Sequence, residues 1–108
     1  MTLSDMIDEV NLNDITLVEA FLGHDIYVKD EYAGAIEGIP GRLEYIVLEQ
    51  HWEGKGVARA TLNKFIILSE KEGHSKLKTN NAVHPAMEHI LKTEGFEQHS
   101  TGWEKKIR

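Results

Sequence analysis

A mixed α/β fold, mainly antiparallel but with one locally parallel strand pair and flanking helices, is the class this sequence predicts, and three observations predict it. An apolar run of strand type, Leu43 to Leu48, is followed by a glycine-rich turn, a stretch of helical period from Val57 to Glu72, and a second short strand, Leu77 to Thr79. Two strands joined through a helix in this way must lie parallel. On either side of that unit the pattern changes to paired strands with turn residues between them, which adds antiparallel neighbours. Finally, 108 residues with no linker, repeat or low-complexity stretch make one small domain, 1–108.

In chain order, residues 3 to 22 place Leu3, Met6, Ile7 and Val10, then Ile15, Val18, Phe21 and Leu22, at spacings of three and four. Two short helices fit this period, a helical front end over 1–22, with Ser4 or Asp5 and Asn13 or Asp14 as caps. The β-branched run around Ile15 to Val18 leaves a strand open for the second. Ile26 and Val28, a turn at Lys29-Asp30-Glu31, and Tyr32 to Ile39 read as a hairpin. Pro40-Gly41 turns the chain into Arg42 to Glu49, whose consecutive Tyr45, Ile46, Val47 and Leu48 suit a central strand. The next helix carries Ala58, Leu62, Phe65 and Ile66 on one stripe and stops at Gly73. His84-Pro85 opens another, with Met87, Ile90 and Leu91 on one face and Gly95 closing it. Phe96 to Ser100 and Trp103 to Ile107 form a last hairpin around Thr101-Gly102.

Composition narrows the chemistry. The chain has no cysteine, so disulfides, thiolate nucleophiles and cysteine-ligated zinc are excluded. Of six histidines only His84 and His89 are neighbours, and a spacing of five does not share a helix face, so no metal centre is expected. The net charge of −6 and the lack of a basic cluster argue against nucleic acid, and are compatible with a cationic substrate. No apolar run approaches the ~20 residues of a membrane span and no secretory pattern opens the chain. A cytoplasmic protein is expected.

The turn Glu53-Gly54-Lys55-Gly56-Val57-Ala58 is where function is most legible. The first amides of a helix have no internal partner and carry the positive end of its dipole, so an anion satisfies both. Glycines there permit a sharp bend and a close approach by phosphate. The spacing is not that of a Walker loop, since Lys55 lies between the glycines, nor of a dinucleotide fingerprint, since position 59 is Arg.

The segment resembles the signature Gln/Arg-x-x-Gly-x-Gly/Ala of the GCN5-related N-acetyltransferase (GNAT) family, and the likeness spans about residues 24 to 107. Trp52 before the loop and Gly95-Phe96 after the second helix agree with it. The resemblance implies a GNAT-like fold whose parallel strands splay around an acetyl-CoA site, and transfer of acetyl to a primary amine: a protein lysine, an N-terminus or a small molecule. It implies that the backbone of Gly54, Lys55, Gly56, Val57 and Ala58 holds the pyrophosphate, and that the main chain near Leu48 pairs with the pantetheine arm. Glu53 stands where the family has Gln or Arg, which implies weaker cofactor binding. Glu44, on the strand face of Leu48 by the period of two, is the candidate base that deprotonates the ammonium, with His51 as a second. The usual tyrosine acid is replaced by Leu91, and an asparagine common at the start of that helix by His84. A fold-keeping binding protein with little or no catalysis is therefore the competing reading, and a plain interaction domain a third. A homodimer through an edge strand such as Trp103 to Ile107 is a further expectation.

Overall fold

The structure is a computed structural model and describes residues 3–80 and 84–108. It holds helix α1 (Leu3–Met6), strands β1 (Ile15–Glu19), β2 (Gly23–Val28), β3 (Glu31–Ile39) and β4 (Arg42–Leu48), helix α2 (Val57–Lys71), strand β5 (Lys76–Thr79), helix α3 (Pro85–Thr93), and strands β6 (Glu97–His99) and β7 (Gly102–Lys106). The seven strands form one sheet in the order β1-β2-β3-β4-β5-β7-β6. Every pairing is antiparallel except that of β4 with β5, the pair joined through α2, as predicted.

Two expectations are corrected. The second front-end helix does not exist: Leu12–Asp14 is a single 3₁₀ turn, tied by the Asn11 amide donating to Asp14 Oδ2 at 3.0 Å, and Ile15–Glu19 is a strand. Ile15 is 1 % exposed and faces the core, so the β-branched preference and burial outweighed a helical spacing that was there by chance. Nor is Trp103 to Ile107 an edge. Strand β7 lies between β5 and β6, and the outer strands are β1 and β6.

Ile15, Ile26, Val28, Ile36 and Leu43 from the sheet are buried in one cluster with Val57, Leu62 and Phe65 of α2. Each such side chain contributes roughly 1.5–3 kcal/mol, whereas a partly exposed ion pair contributes at most about 1, so packing rather than charge fixes α2 on the sheet.

Two irregularities position the site. Strand β5 meets β4 at Arg42↔Lys78 and Leu43↔Thr79, and among the described residues β4 from Glu44 onward has no partner on that side. On the other side Gly38 opposes Leu43 while Glu37 opposes Tyr45, which leaves Glu44 as the extra residue of a β-bulge. A bulge breaks the alternation of side chains and re-aims the residue that makes it. Here Leu43, Ile46 and Leu48 all belong to the core side despite their odd spacing, while Tyr45 and Val47 are exposed.

Candidate active site

Between the open edge of β4, the start of α2 and the inner face of α3 lies a cavity of about 760 Å³, within the range of small-molecule and cofactor sites. Its floor is apolar: Leu43, Ile46 and Leu48 from β4, Met87, Ile90 and Leu91 from α3. At one end sit Glu53, Gly54, Gly56, Val57, Ala58 and Arg59, and at the other Glu44, Thr79, Asn80 and His84.

The glycine end is built as the sequence requires. Gly54 has φ 74° and Gly56, the N-cap of α2, φ 83°, both in the left-handed region that glycine enters without strain. An added Cβ would meet nothing within 4 Å at Gly54 and nothing closer than 3.5 Å at Gly56, so conformation rather than space demands these glycines. No side chain caps α2, and the first intrahelical donor is Ala60, to Gly56 O at 3.0 Å. The amides of Val57, Ala58 and Arg59 precede it, which is the anion-receptive arrangement of an open helix start.

Lys55 is the one predicted loop residue that does not line the cavity. Its carbonyl accepts the Val10 amide at 2.8 Å, which ties the loop to the N-terminal segment. Trp52, fully buried, anchors the other side of the loop by donating from Nε1 to Glu31 Oε2 at 2.8 Å. His51 Nε2 lies 3.2 Å from the same oxygen and outside the cavity, so it is not placed for base work.

At the far end Glu44 borders the same cavity as Leu48. Both of its oxygens have partners: Asn80 Nδ2 donates to Oε2 at 3.0 Å, and Arg42 Nε is 3.4 Å from Oε1. Arg42 Nη2 in turn donates to Asn80 Oδ1 at 2.8 Å, closing a ring of three side chains across the mouth of the β4–β5 gap. Leu91 is 1 % exposed and part of the cavity wall, so the wall is apolar at that position. His84 caps α3, its Nδ1 accepting the Ala86 amide at 3.1 Å, and also borders the cavity. The tyrosine that lines the cavity is Tyr45, on β4, and a hydrogen bond to Glu37, with the charge of that carboxylate, raises its pKa.

Arg59 and Asn80 were not singled out in the sequence. Arg59 is a cation of the cavity wall, held by Thr93 Oγ1 at 2.8 Å and by Glu94. Burial pushes the Glu94 carboxyl up, but hydrogen bonds from Asn63 and Arg59, with the charges of Arg59 and Lys105, outweigh it and hold the group below its ordinary value of 4.5. A lowered carboxyl contributes stability that is complete above the ordinary value and is lost as pH falls through the folded one. Urea denaturation below pH 4.5 should therefore show a stability loss in the wild type that is shallower in Glu94→Gln; equal slopes would remove Glu94 from the account.

No protein-family model and no curated protein matches the chain. Among solved structures it is similar to the solution NMR structure of YhhK from E. coli, named a "Putative N-Acetyl Transferase" and bound to coenzyme A. The superposition has a TM-score of 0.61 at 18% identity, and covers 84% of this chain and 77% of that one. The fold is GNAT-like. No helix among the described residues is long and apolar enough to cross a membrane.

Proposed function

We propose that the protein is an acetyl-CoA-dependent N-acetyltransferase acting on a primary amine, whether a protein lysine, a peptide N-terminus or a small molecule. The observation that carries this reading is one cavity joining three features: an uncapped helix start with two left-handed glycines, a strand edge left open by the β4–β5 splay, and a carboxylate on a bulge of that same strand. The likeness of fold to a coenzyme A-bound structure supports it.

In this reading the amides of Val57 to Arg59 bind the pyrophosphate, and the free main chain of Tyr45 to Leu48 pairs with the pantetheine amides. Acetyl-CoA supplies a thioester with a good leaving group. Glu44 takes a proton from the acceptor ammonium, directly or through a water, and the freed nitrogen lone pair attacks the acyl carbon. As the adduct collapses and the C–S bond breaks, the nitrogen loses its second proton to solvent and, with Leu91 on the wall, the departing thiolate takes a proton from solvent. A cytoplasmic location and the absence of a metal requirement belong to the same reading.

Calorimetric titration with acetyl-CoA and CoA, followed by a free-thiol assay over a panel of amines and lysine-bearing proteins, tests it. Micromolar binding with amine-dependent thiol release is the expected result. No binding up to millimolar concentration would sink the proposal. The apolar Leu91 favours a second reading, a CoA-binding protein with weak or no catalysis, which predicts binding without thiol release.

Glu53 lines the glycine end and is exposed, and it stands beside the place assigned to a pyrophosphate. Like charges some 6–8 Å apart near a surface repel by about 1–3 kcal/mol before salt screening. Glu53→Gln should tighten CoA severalfold, more at low salt than at high. An unchanged dissociation constant would mean the carboxylate points away.

A further inference from the structure

The face of β1–β4 turned away from the core is uncovered. The register places Val18, Asp25, Ala35 and Val47 in one row across the four strands, with Tyr27 beside Tyr32 on one flank of that row and Glu37 beside Tyr45 on the other. Val18, Tyr32, Tyr45 and Val47 are 42–53 % exposed, so no other part of the described chain packs over them. An antiparallel sheet can turn one face to water, but that face is then ordinarily polar. Here it carries all three tyrosines of the chain and a row made largely of valine and alanine. An exposed patch of this kind is the usual mark of an interaction surface.

The charges on the face indicate the partner. Strands β1–β4 hold five carboxylates, Glu19, Asp25, Glu31, Glu37 and Glu44, and one Lys or Arg, Arg42, which is tied to Glu44 and Asn80. Asp25 and Glu37 stand among the tyrosines: Tyr45 is hydrogen-bonded to Glu37, while desolvation, then the charges of Asp25 and of Glu49 just beyond β4, raise the Tyr32 pKa. Among the described residues no ion pair neutralises Asp25, Glu37 or Glu49. A second copy packed face to face would set carboxylates against carboxylates, and a nucleic acid or an anionic membrane would be repelled. What the face lacks is a cation. The Tyr27 and Tyr32 rings, in edge contact with centroids 5.9 Å apart, present aromatic surface to a guanidinium or an ammonium.

We propose that this face docks a basic segment of a partner protein, a stretch rich in Lys and Arg. Asp25, Glu37 and Glu49 pair with its cations, the tyrosine rings stack on them, and Val18, Ala35 and Val47 take their methylene stems. The face runs into the cavity at Tyr45, which belongs to both. The docking surface stands whether or not that cavity takes acetyl-CoA.

Titration of the ¹⁵N-labelled protein with a short peptide of alternating Arg and Ala, and separately with its Glu-for-Arg counterpart, tests this by amide chemical shifts. The Arg peptide should give saturable shifts centred on residues 18, 25–27, 32–37 and 45–47, and the Glu peptide none. Asp25→Asn/Glu37→Gln, close to isosteric at both positions, should weaken the Arg peptide roughly fivefold or more. Tyr32→Leu, which keeps apolar bulk and removes the ring, should weaken it about threefold. Glu70→Gln/Glu72→Gln removes the same charge from exposed positions at the end of α2 and should change the affinity by less than about twofold. Non-saturating shifts, shifts centred elsewhere, unchanged affinity in either face variant, or equal losses in the two double variants would each overturn the proposal. Concentration-dependent shifts of the same residues without peptide would assign the face to a second copy of the chain and overturn it as well.

Discussion

Replacing Trp52 by alanine should cost about 3–5 kcal/mol of folding free energy, the range for truncating a large buried aromatic, and should weaken CoA binding in whatever fraction remains folded. The side chain is completely buried, in the same cluster as Val57 and Phe65 of α2. Its indole N–H is bonded to Glu31, at the start of β3, so it joins the loop after β4 to the neighbouring hairpin. Truncation leaves a cavity and frees Glu31 from one of its two partners. Both losses fall on the segment that presents Gly54 and Gly56. Trp52→Phe separates the terms: it keeps most of the packing and removes only the hydrogen bond, so about 1–2 kcal/mol is expected. Urea melts of the two variants, paired with CoA titration at a temperature where both are folded, measure both effects. A Trp52→Ala midpoint close to wild type would refute the anchoring role.

That anchor was legible in the sequence only as an aromatic before a glycine turn, and this marks how far the sequence reading reached. The β4–α2–β5 unit was readable because its signals are local: an apolar run, two glycines, then a helical stripe ending at Gly73. So was the last hairpin. Ile15 to Glu19 was not, because helical spacing and β-branching conflict there, and only tertiary pairing with β2 decides between them. The assignment of an edge to Trp103–Ile107 failed for a related reason, since strand order is a long-range property and β7 inserts beside β5. In the site, the period of two put Glu44 on the side of Leu48, but nothing local announced the bulge that lets Leu43 be buried as well. Asn80 and Arg59 were invisible for want of any local signal. Asn80 reaches Glu44 across a gap of 36 residues, and Arg59 reaches Glu94 across 35.

The ring of Glu44, Asn80 and Arg42 sets the largest functional effect. General-base catalysis contributes typically 10²–10⁴-fold, so Glu44→Gln should lower turnover by at least a hundredfold. Affinity for CoA should stay within about twofold, because four residues of strand, about 13 Å, separate Glu44 from Leu48 at the loop end. The substitution is close to isosteric, and its carbonyl oxygen can still accept from Asn80 Nδ2. What it removes is the negative charge that pairs with Arg42 and the lone pair that takes the proton. The sign of the pH dependence distinguishes a base from a mere holder of substrate. A base matters most where the acceptor is still an ammonium, so the deficit should shrink as pH rises toward the amine's own pKa, near 10.4 for a lysine. A residue that only orients substrate would show a deficit independent of pH. Arg42→Ala sharpens the comparison: it leaves the carboxylate and its hydrogen bond from Asn80 Nδ2 in place and removes the ion pair, which is roughly half exposed, together with the exposed bond from Arg42 to Asn80 Oδ1. A loss of tenfold or less is expected there. If Arg42→Ala proved as damaging as Glu44→Gln, the guanidinium rather than the carboxylate would be the group that acts on the acceptor, and the assignment of the base would be wrong.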